Sequence, residues 1–442
     1  MTDRPLRVVV AGLWHLGCVA AACLAKVGHR VVGVDADADR VASLRAGRAP
    51  LREPGLDALL GEGIAAGRLH FSGDFHEAFR DADVAYLAYD TPVDERDRAD
   101  VSVVLDAAEA AGRSLPPGAL LLVQSQVPVG TCRGLRAALR ARRGGDVCVA
   151  YVPENLRLGE AIERYLHPDM LVVGADDPEA RERVDRLFAA IEAPRVRTDL
   201  ATAEMAKHAI NTFLATSISF ANELANLSQL EGADTDALLQ VLRLERRIGP
   251  RVPLAPGMGF AGGTLARDVK ALEEVGERHG YAARLLEAVL RVNDGQQGLP
   301  IRWLEQAYGT LAGRRVGVLG LTYKPGTSTL RRSSSVAMIR RLVQAGAVVS
   351  AADPEADLDE ITDLPPFEFG RDPYRTAVDA DALVIATPWP EFAALDYARL
   401  RAGMRHPLVL DMPRLLDRAA LEAAGFTYVA VGLGAVRRIS DP

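Results

Sequence analysis

Two glycine-rich segments carry residue types at spacings that suggest chemistry. The first, GLWHLG at Gly12–Gly17, follows the β-rich run LRVVVAG and opens a helical pattern. A dinucleotide turn of the form G-x-G-x-x-G uses its first glycine for the tight turn, its second for approach to the pyrophosphate and its third for helix packing. Gly12 and Gly17 hold the first and third places, Leu16 precedes the third, and Trp14 stands at the second, so its indole is expected near the phosphate position. Asp35 closes the next strand pattern, RVVGVDAD, where a carboxylate takes both ribose hydroxyls of NAD and repels a 2′-phosphate, favouring NAD over NADP. This altered fingerprint equally fits a doubly wound sheet that has lost its dinucleotide. The second segment, PGMGFAGGTLARD, is a loop whose shape invites a nucleophile at its end, and that place holds Thr264. A thiol there would ionise readily, with a reference pKa of about 8.5, whereas an alkyl hydroxyl stays protonated without a dedicated base.

These segments need a scaffold to position them. Short apolar runs such as VAYLAYD, ALLLVQS and VCVAYVP alternate with helical stretches, the pattern of a parallel sheet covered by helices on both faces. That domain is expected over 1–198. A long helical pattern follows, with Met205, Phe213, Ile218 and Leu224 among its candidate core residues and Gly232 as its stop. It opens a helical middle domain over 199–312. The opening pattern then recurs: RRVGVLGLTYKPG resembles LRVVVAGLWHLG, and QAGAVVSAADPEA resembles KVGHRVVGVDADA, with Asp353 in the place of Asp35. The fold class is therefore α/β, with two Rossmann-like doubly wound domains joined by a long central helix, the second over 313–442.

Composition narrows the function. At 442 residues with 49% hydrophobic content, the chain has enough apolar residues for two or three cores. Its net charge of −7 comes from mixed acidic and basic residues without a long basic run, which argues against nucleic acid or a membrane surface as partner. Cys18, Cys23, Cys132 and Cys148 lack metal or disulfide-framework spacing; they read as free thiols of a cytoplasmic protein, with no metal site. The apolar run near the start imitates a signal peptide, but Gly12, His15 and Gly17 interrupt it where a strand-to-helix turn belongs.

DTPVD, SQVPVGT, YVPENLRLGEAI, EMAKHAIN, GMGFAGGTLARD, GLTYKPGTSTLRRSS and ATPWPEF occur in that order along nearly the whole chain. In this it resembles the UDP-glucose/GDP-mannose dehydrogenase family. The resemblance implies oxidation of the C6 alcohol of a nucleotide-linked hexose to a carboxylate with two NAD molecules in succession, and a homodimer built on the central helix. It places Lys207 and Asn211, four residues apart on one helical face, beside the reacting oxygen. Asp268 takes the place of a proton-shuttling aspartate and Glu154 that of a glutamate associated with water attack. Thr91, Pro92, Ser125 and Arg331 are implied at the NAD site; Asn155, Leu156, Arg247, Phe260, Gly262 and Lys324 are implied around the nucleotide sugar.

The departures from the family pattern are selective. Thr264 stands where the family has its nucleophilic cysteine, Gln126 where it has a threonine that handles water, Leu158 where it has a second acid, and Arg267 where it has a lysine. The cysteine captures the aldehyde so that a second oxidation can give a thioester. Its loss suggests an enzyme that stops at the carbonyl, with Thr264 hydrogen-bonding substrate. Three other readings stay open: full four-electron oxidation through a gem-diol, an NAD-dependent epimerase or isomerase, and a non-catalytic nucleotide-sugar-binding protein.

Overall fold

The computed structural model describes residues 4–93, 99–143, 147–261 and 263–439. The chain divides into two compact units, Met1–Ile210 and Asn211–Pro442. The first is built on eight strands: β1 (Arg7–Ala11), β2 (Arg30–Val34), β3 (Leu69–Ser72), β4 (Val84–Leu87), β5 (Leu120–Val123), β6 (Cys148–Tyr151), β7 (Leu171–Gly174) and β8 (Arg195–Thr198). Their order across the sheet is β3-β2-β1-β4-β5-β6-β7-β8, with Val8 of β1 in register with Val31 on one side and Val84 on the other. Alternate residues bury on opposite faces: Val8, Val10, Tyr86 and Leu122 join one core, Val9, Ala11, Leu87 and Leu121 the other. A sheet covered on both faces explains why its strands read as continuous apolar runs. The apolar opening run is thus strand, turn and the buried helix His15–Lys26. Among the described residues, no helix is long and apolar enough to cross a membrane.

The sheet departs from the expected all-parallel pattern at one seam, where β6 meets β7 antiparallel through Tyr151 and Gly174. The connection from Val152 to Met170 contains the six-residue helix Ala161–Leu166. It leaves from the carboxyl end of β6, the edge at which open α/β sheets place their ligands.

The second unit has a six-stranded parallel sheet: β9 (Arg315–Leu319), β10 (Val348–Ala352), β11 (Glu368–Gly370), β12 (Ala382–Ile385), β13 (Leu408–Asp411) and β14 (Thr427–Ala430), in the order β11-β10-β9-β12-β13-β14. The sequence repeat is a repeat of hydrogen bonds. Leu13 N–H donates to Asp35 at 2.7 Å, and Leu321 N–H donates to Asp353 at 2.7 Å. The two aspartates then diverge. Asp353 is 1% exposed and also accepts from Thr322 N–H, the Thr322 hydroxyl and Trp389 Nε1–H at 3.0–3.1 Å, so it is a structural anchor and has little capacity left for a ribose.

The helix Leu200–Glu231 carries the division between the units. Ile218 and Leu224 pack against small apolar clusters as expected. Met205 and Phe213 do not: they are 39% and 60% exposed. This helix is apolar on more than one side, so periodicity alone could not select the side that faces the core.

Candidate active site

The first unit has a cleft of about 630 Å³ at the β1/β4 switch point, lined by Gly12, Trp14, Asp35, Arg40, Tyr89 and Asp106 among others. Its floor is the Gly12–Gly17 turn. A Cβ on Gly17 would lie 1.8 Å from the Gly12 carbonyl oxygen, so the third fingerprint position admits only glycine. Leu16 beside it is buried. Trp14 occupies the N-cap position of the helix His15–Lys26 in extended backbone and provides no side-chain cap, leaving the positive end of the helix dipole available to an anion. The indole is 38% exposed and lies against the Arg40 guanidinium, 5.2 Å from its ring centroid. Trp14 therefore forms part of the cleft wall, and the cleft persists beside it. The turn, the uncapped helix end and Asp35 fit a dinucleotide.

Asp35 already has partners. Arg40 Nη1 lies 2.9 Å from each carboxylate oxygen, and the N–H groups of Leu13 and Asp37 donate at 2.7 and 3.0 Å. Beyond the ends of β4 and β5, Thr91 and Ser125 are buried, their hydroxyls donating to the carbonyls of Gln126 at 2.9 Å and Leu87 at 3.4 Å. These bonds tie the ends of β4 and β5 together. Pro92 is exposed. Arg331 belongs to the second unit and is exposed.

The loop after β6 presents Glu154, Asn155 and Leu156. Glu154 Oε2 accepts the Leu156 N–H at 2.7 Å, bending the loop so that Glu154 Oε1 and Asn155 Oδ1 stand 3.5 and 3.4 Å from Lys207 Nζ. Lys207 is 6% exposed, so its Nζ meets the oxygens of Glu154 and Asn155 in place of most of its water. Glu204, one turn earlier, accepts the N–H groups of Gly130 and Cys132 and so caps the helix Thr131–Arg143. None of the four buried cysteines is presented as a nucleophile. Burial, and then the Asp35 charge, push Cys18 up to about 12; burial and the neighbouring Glu204 raise Cys132.

In the second unit, the structure brings Asn211 and Asp268 together. The Asn211 amide donates to the Asp268 carboxylate, which is fully buried in the first turn of the helix Leu265–Arg278. Thr264 is exposed at the N-cap of that helix, and its hydroxyl makes no capping bond. Sequence reasoning missed what holds the loop before it. Asn222 accepts the Gly257 N–H at 2.7 Å, Gln296 donates to the Gly257 carbonyl at 2.7 Å, and Asn293 both accepts from Phe260 N–H at 2.7 Å and donates to its carbonyl at 3.1 Å. Gly259 has φ +82°, and a Cβ there would fall 2.2 Å from Asn293 Oδ1, which excludes any other residue. A signal was available in Asn211 and Asn222, which share a helical face three turns apart.

Of the remaining candidates, Phe260 packs with Val269, next to Asp268 in sequence, and with Ala215, one turn after Asn211. Phe260 is buried under the amides, Lys324 lies 5.6 Å from the Tyr323 ring centroid, and Arg247 is exposed and paired with Glu245 at 3.0 Å. Gly262 lies outside the described residues.

Residues 6–192 match the NAD binding domain of the UDP-glucose/GDP-mannose dehydrogenase family, residues 201–295 its central domain and residues 317–418 its UDP binding domain. The UDP-glucose 6-dehydrogenase of Rhizobium meliloti is 36% identical over 435 residues, 97% of this chain and 99% of that protein. The UDP-glucose 6-dehydrogenase AglM of Haloferax volcanii is 36% identical over 93% of this chain and 98% of its own. The solved structure of a UDP-glucose dehydrogenase from Pyrobaculum islandicum aligns with a TM-score of 0.86 at 35% identity, covering 97% of this chain and 98% of that one.

Proposed function

Because the chain belongs to the UDP-glucose/GDP-mannose dehydrogenase family, and so is an NAD-dependent oxidoreductase acting on the CH–OH group of a nucleotide sugar, we propose that it oxidises a UDP-hexose from alcohol to carbonyl and stops there. The observation that carries this reading is a pairing of presence and absence. Lys207 is hydrogen-bonded to Asn155, Asn211 and Asp268 share a buried hydrogen bond, Thr264 stands at the end of the glycine-rich loop, and every cysteine is buried.

In this reading residues 1–198 bind NAD, 199–312 supply catalytic groups and the dimer contact, and 313–442 hold the nucleotide. NAD supplies the acceptor for the hydride that leaves the carbinol carbon. The chain's own groups act on the oxygen and its proton. Lys207 and the second N–H of Asn211 stabilise the alkoxide as the O–H bond breaks. Asp268, held by the other Asn211 N–H, moves the proton. Glu154 orients Lys207, Thr264 hydrogen-bonds substrate, and Asn155, Leu156, Phe260, Gly262 and Lys324 contact the nucleotide sugar, with Arg247 reaching it from a second copy.

The test is the count of NADH formed per UDP-glucose consumed, with hydroxylamine present and the product mass determined. One NADH and an oxime are expected. Two NADH and a carboxylate would sink the two-electron reading in favour of a gem-diol route, and an epimerised sugar without net NADH would favour an isomerase.

A homodimer is part of the proposal. Phe213, Phe220 and Leu227 recur every seven residues on the long helix and are 60%, 50% and 54% exposed, with Leu230 at 81% beyond them. A heptad stripe of exposed large apolar residues is suited to pairing with a second copy of itself. Phe220→Asp is expected to shift the sedimenting species from dimer to monomer at micromolar concentration. An unchanged dimer would place the contact elsewhere.

A further inference from the structure

Glu53 lies between the helices Ala38–Arg45 and Leu56–Ala65, and its side chain is 1% exposed. No motif singled it out, yet it has three donors. Gly159 N–H reaches Oε2 at 2.9 Å, Ala161 N–H reaches Oε1 at 2.9 Å, and His15 Nε2–H reaches Oε2 at 2.8 Å. Burial on its own would raise the Glu53 carboxyl. The bonds from Gly159, His15 and Ala161 outweigh that and hold it below the usual glutamate range.

The three donors come from two different places. Gly159 and Ala161 end the loop that presents Glu154 and Asn155 to Lys207 and begin the helix Ala161–Leu166, whose N-cap, Glu160, supplies no side-chain cap. Glu53 is therefore the cap that fixes this end of the loop. His15 lies in the dinucleotide turn, next to Trp14 and at the start of the helix whose free end faces the cleft. One buried carboxylate thus bridges the cofactor turn and the loop around the catalytic lysine. An interior cap alone needs only an acceptor, whereas a shared carboxylate gives each side a preferred position that depends on the other.

We propose that Glu53 is a positioning residue that couples the dinucleotide turn to the Glu154–Asn155 loop through His15, so that NAD and the nucleotide sugar strengthen each other's binding. The proposal rests on the function assigned above. Coupling between two ligands is reciprocal and typically about 5-fold to 150-fold in affinity.

Trp14 provides the readout. It is 38% exposed in the cleft, whereas Trp303 and Trp389 are 7% and 6% exposed and lie in the second unit. NADH, which cannot react with the alcohol substrate, is titrated against tryptophan emission with and without saturating UDP-glucose, which gives the coupling as a ratio of two dissociation constants. The wild-type ratio is expected to be about fivefold or more. His15→Ala keeps the cap on Gly159 and Ala161 but removes the bridge, and should bring the ratio to within about twofold of unity. Glu53→Gln should do the same and also raise the KM for UDP-glucose by loosening the loop. A merely structural role would weaken each ligand alone and leave the ratio intact in both variants; that result, or a wild-type ratio of one, overturns the proposal. Failure of UDP-glucose to protect wild-type protein in a thermal-shift assay would instead overturn the substrate reading, and the coupling proposal with it.

Discussion

Lys207→Met is expected to lower kcat by about a hundredfold to a thousandfold, the usual cost of removing one preorganised donor from a developing oxyanion, while leaving NAD affinity nearly unchanged. Lys207 Nζ is positioned from two directions, by Glu154 at 3.5 Å and Asn155 at 3.4 Å, on a side chain 7% exposed. Such a group costs no reorganisation when the substrate oxygen becomes charged. The methionine keeps the aliphatic length, so the change isolates the charge from the packing. It also leaves Glu154 without its cation, but that side chain is 22% exposed and can rehydrate, so the melting temperature should fall by only a few degrees. Lys207→Arg should not rescue turnover, because a planar fork cannot place a point charge in the same pocket. Steady-state kinetics with UDP-glucose decide the matter. A variant within threefold of wild type would remove Lys207 from the chemistry and leave it as a tether for the Glu154 loop.

Much of the scaffold was legible because its rules are local. A buried strand, a glycine turn and a helix leave a contiguous pattern, and the repeat of that pattern around Asp35 and Asp353 gave both sheets. The same local reading did not separate the two aspartates, since their difference depends on Thr322 and Trp389, 31 and 36 positions from Asp353. Lys207 and Asn211 were picked out by the family resemblance, and their helical spacing is consistent with one shared face. The amides of Asn222, Asn293 and Gln296 were not singled out, because a polar residue on a helix looks the same whether it faces water or a backbone loop. Glu53 escaped for a related reason: its bond to His15 spans 38 positions, and Glu53 itself belongs to no motif that was singled out. Met205 and Phe213 show the converse limit, since an apolar residue on a helix does not declare whether its partner is the same chain or another.

The second large effect is expected from Thr264→Cys. Thr264 is exposed at the start of the helix Leu265–Arg278 and makes no side-chain capping bond, so a cysteine can take its place without leaving an unsatisfied partner. A thiol at a helix N-terminus has its pKa lowered by the dipole, which gives this site what the four buried cysteines lack. The new thiolate should capture the carbonyl product as a thiohemiacetal, from which a second hydride can leave, and the protein should become a covalent thioester. Hydrolysis is the step for which the chain is poorly equipped, because Gln126 and Leu158 stand where the family pattern has a threonine and an acid. The expected result is a burst of two NADH per active site followed by near arrest, with the acyl adduct visible in the intact-protein mass and absent from wild type. Adding Leu158→Glu and Gln126→Thr should release the arrest and give sustained formation of carboxylate. If Thr264→Cys shows neither adduct nor second NADH, position 264 does not face the carbonyl; a wild-type protein that already forms two NADH would show that the thiol is dispensable.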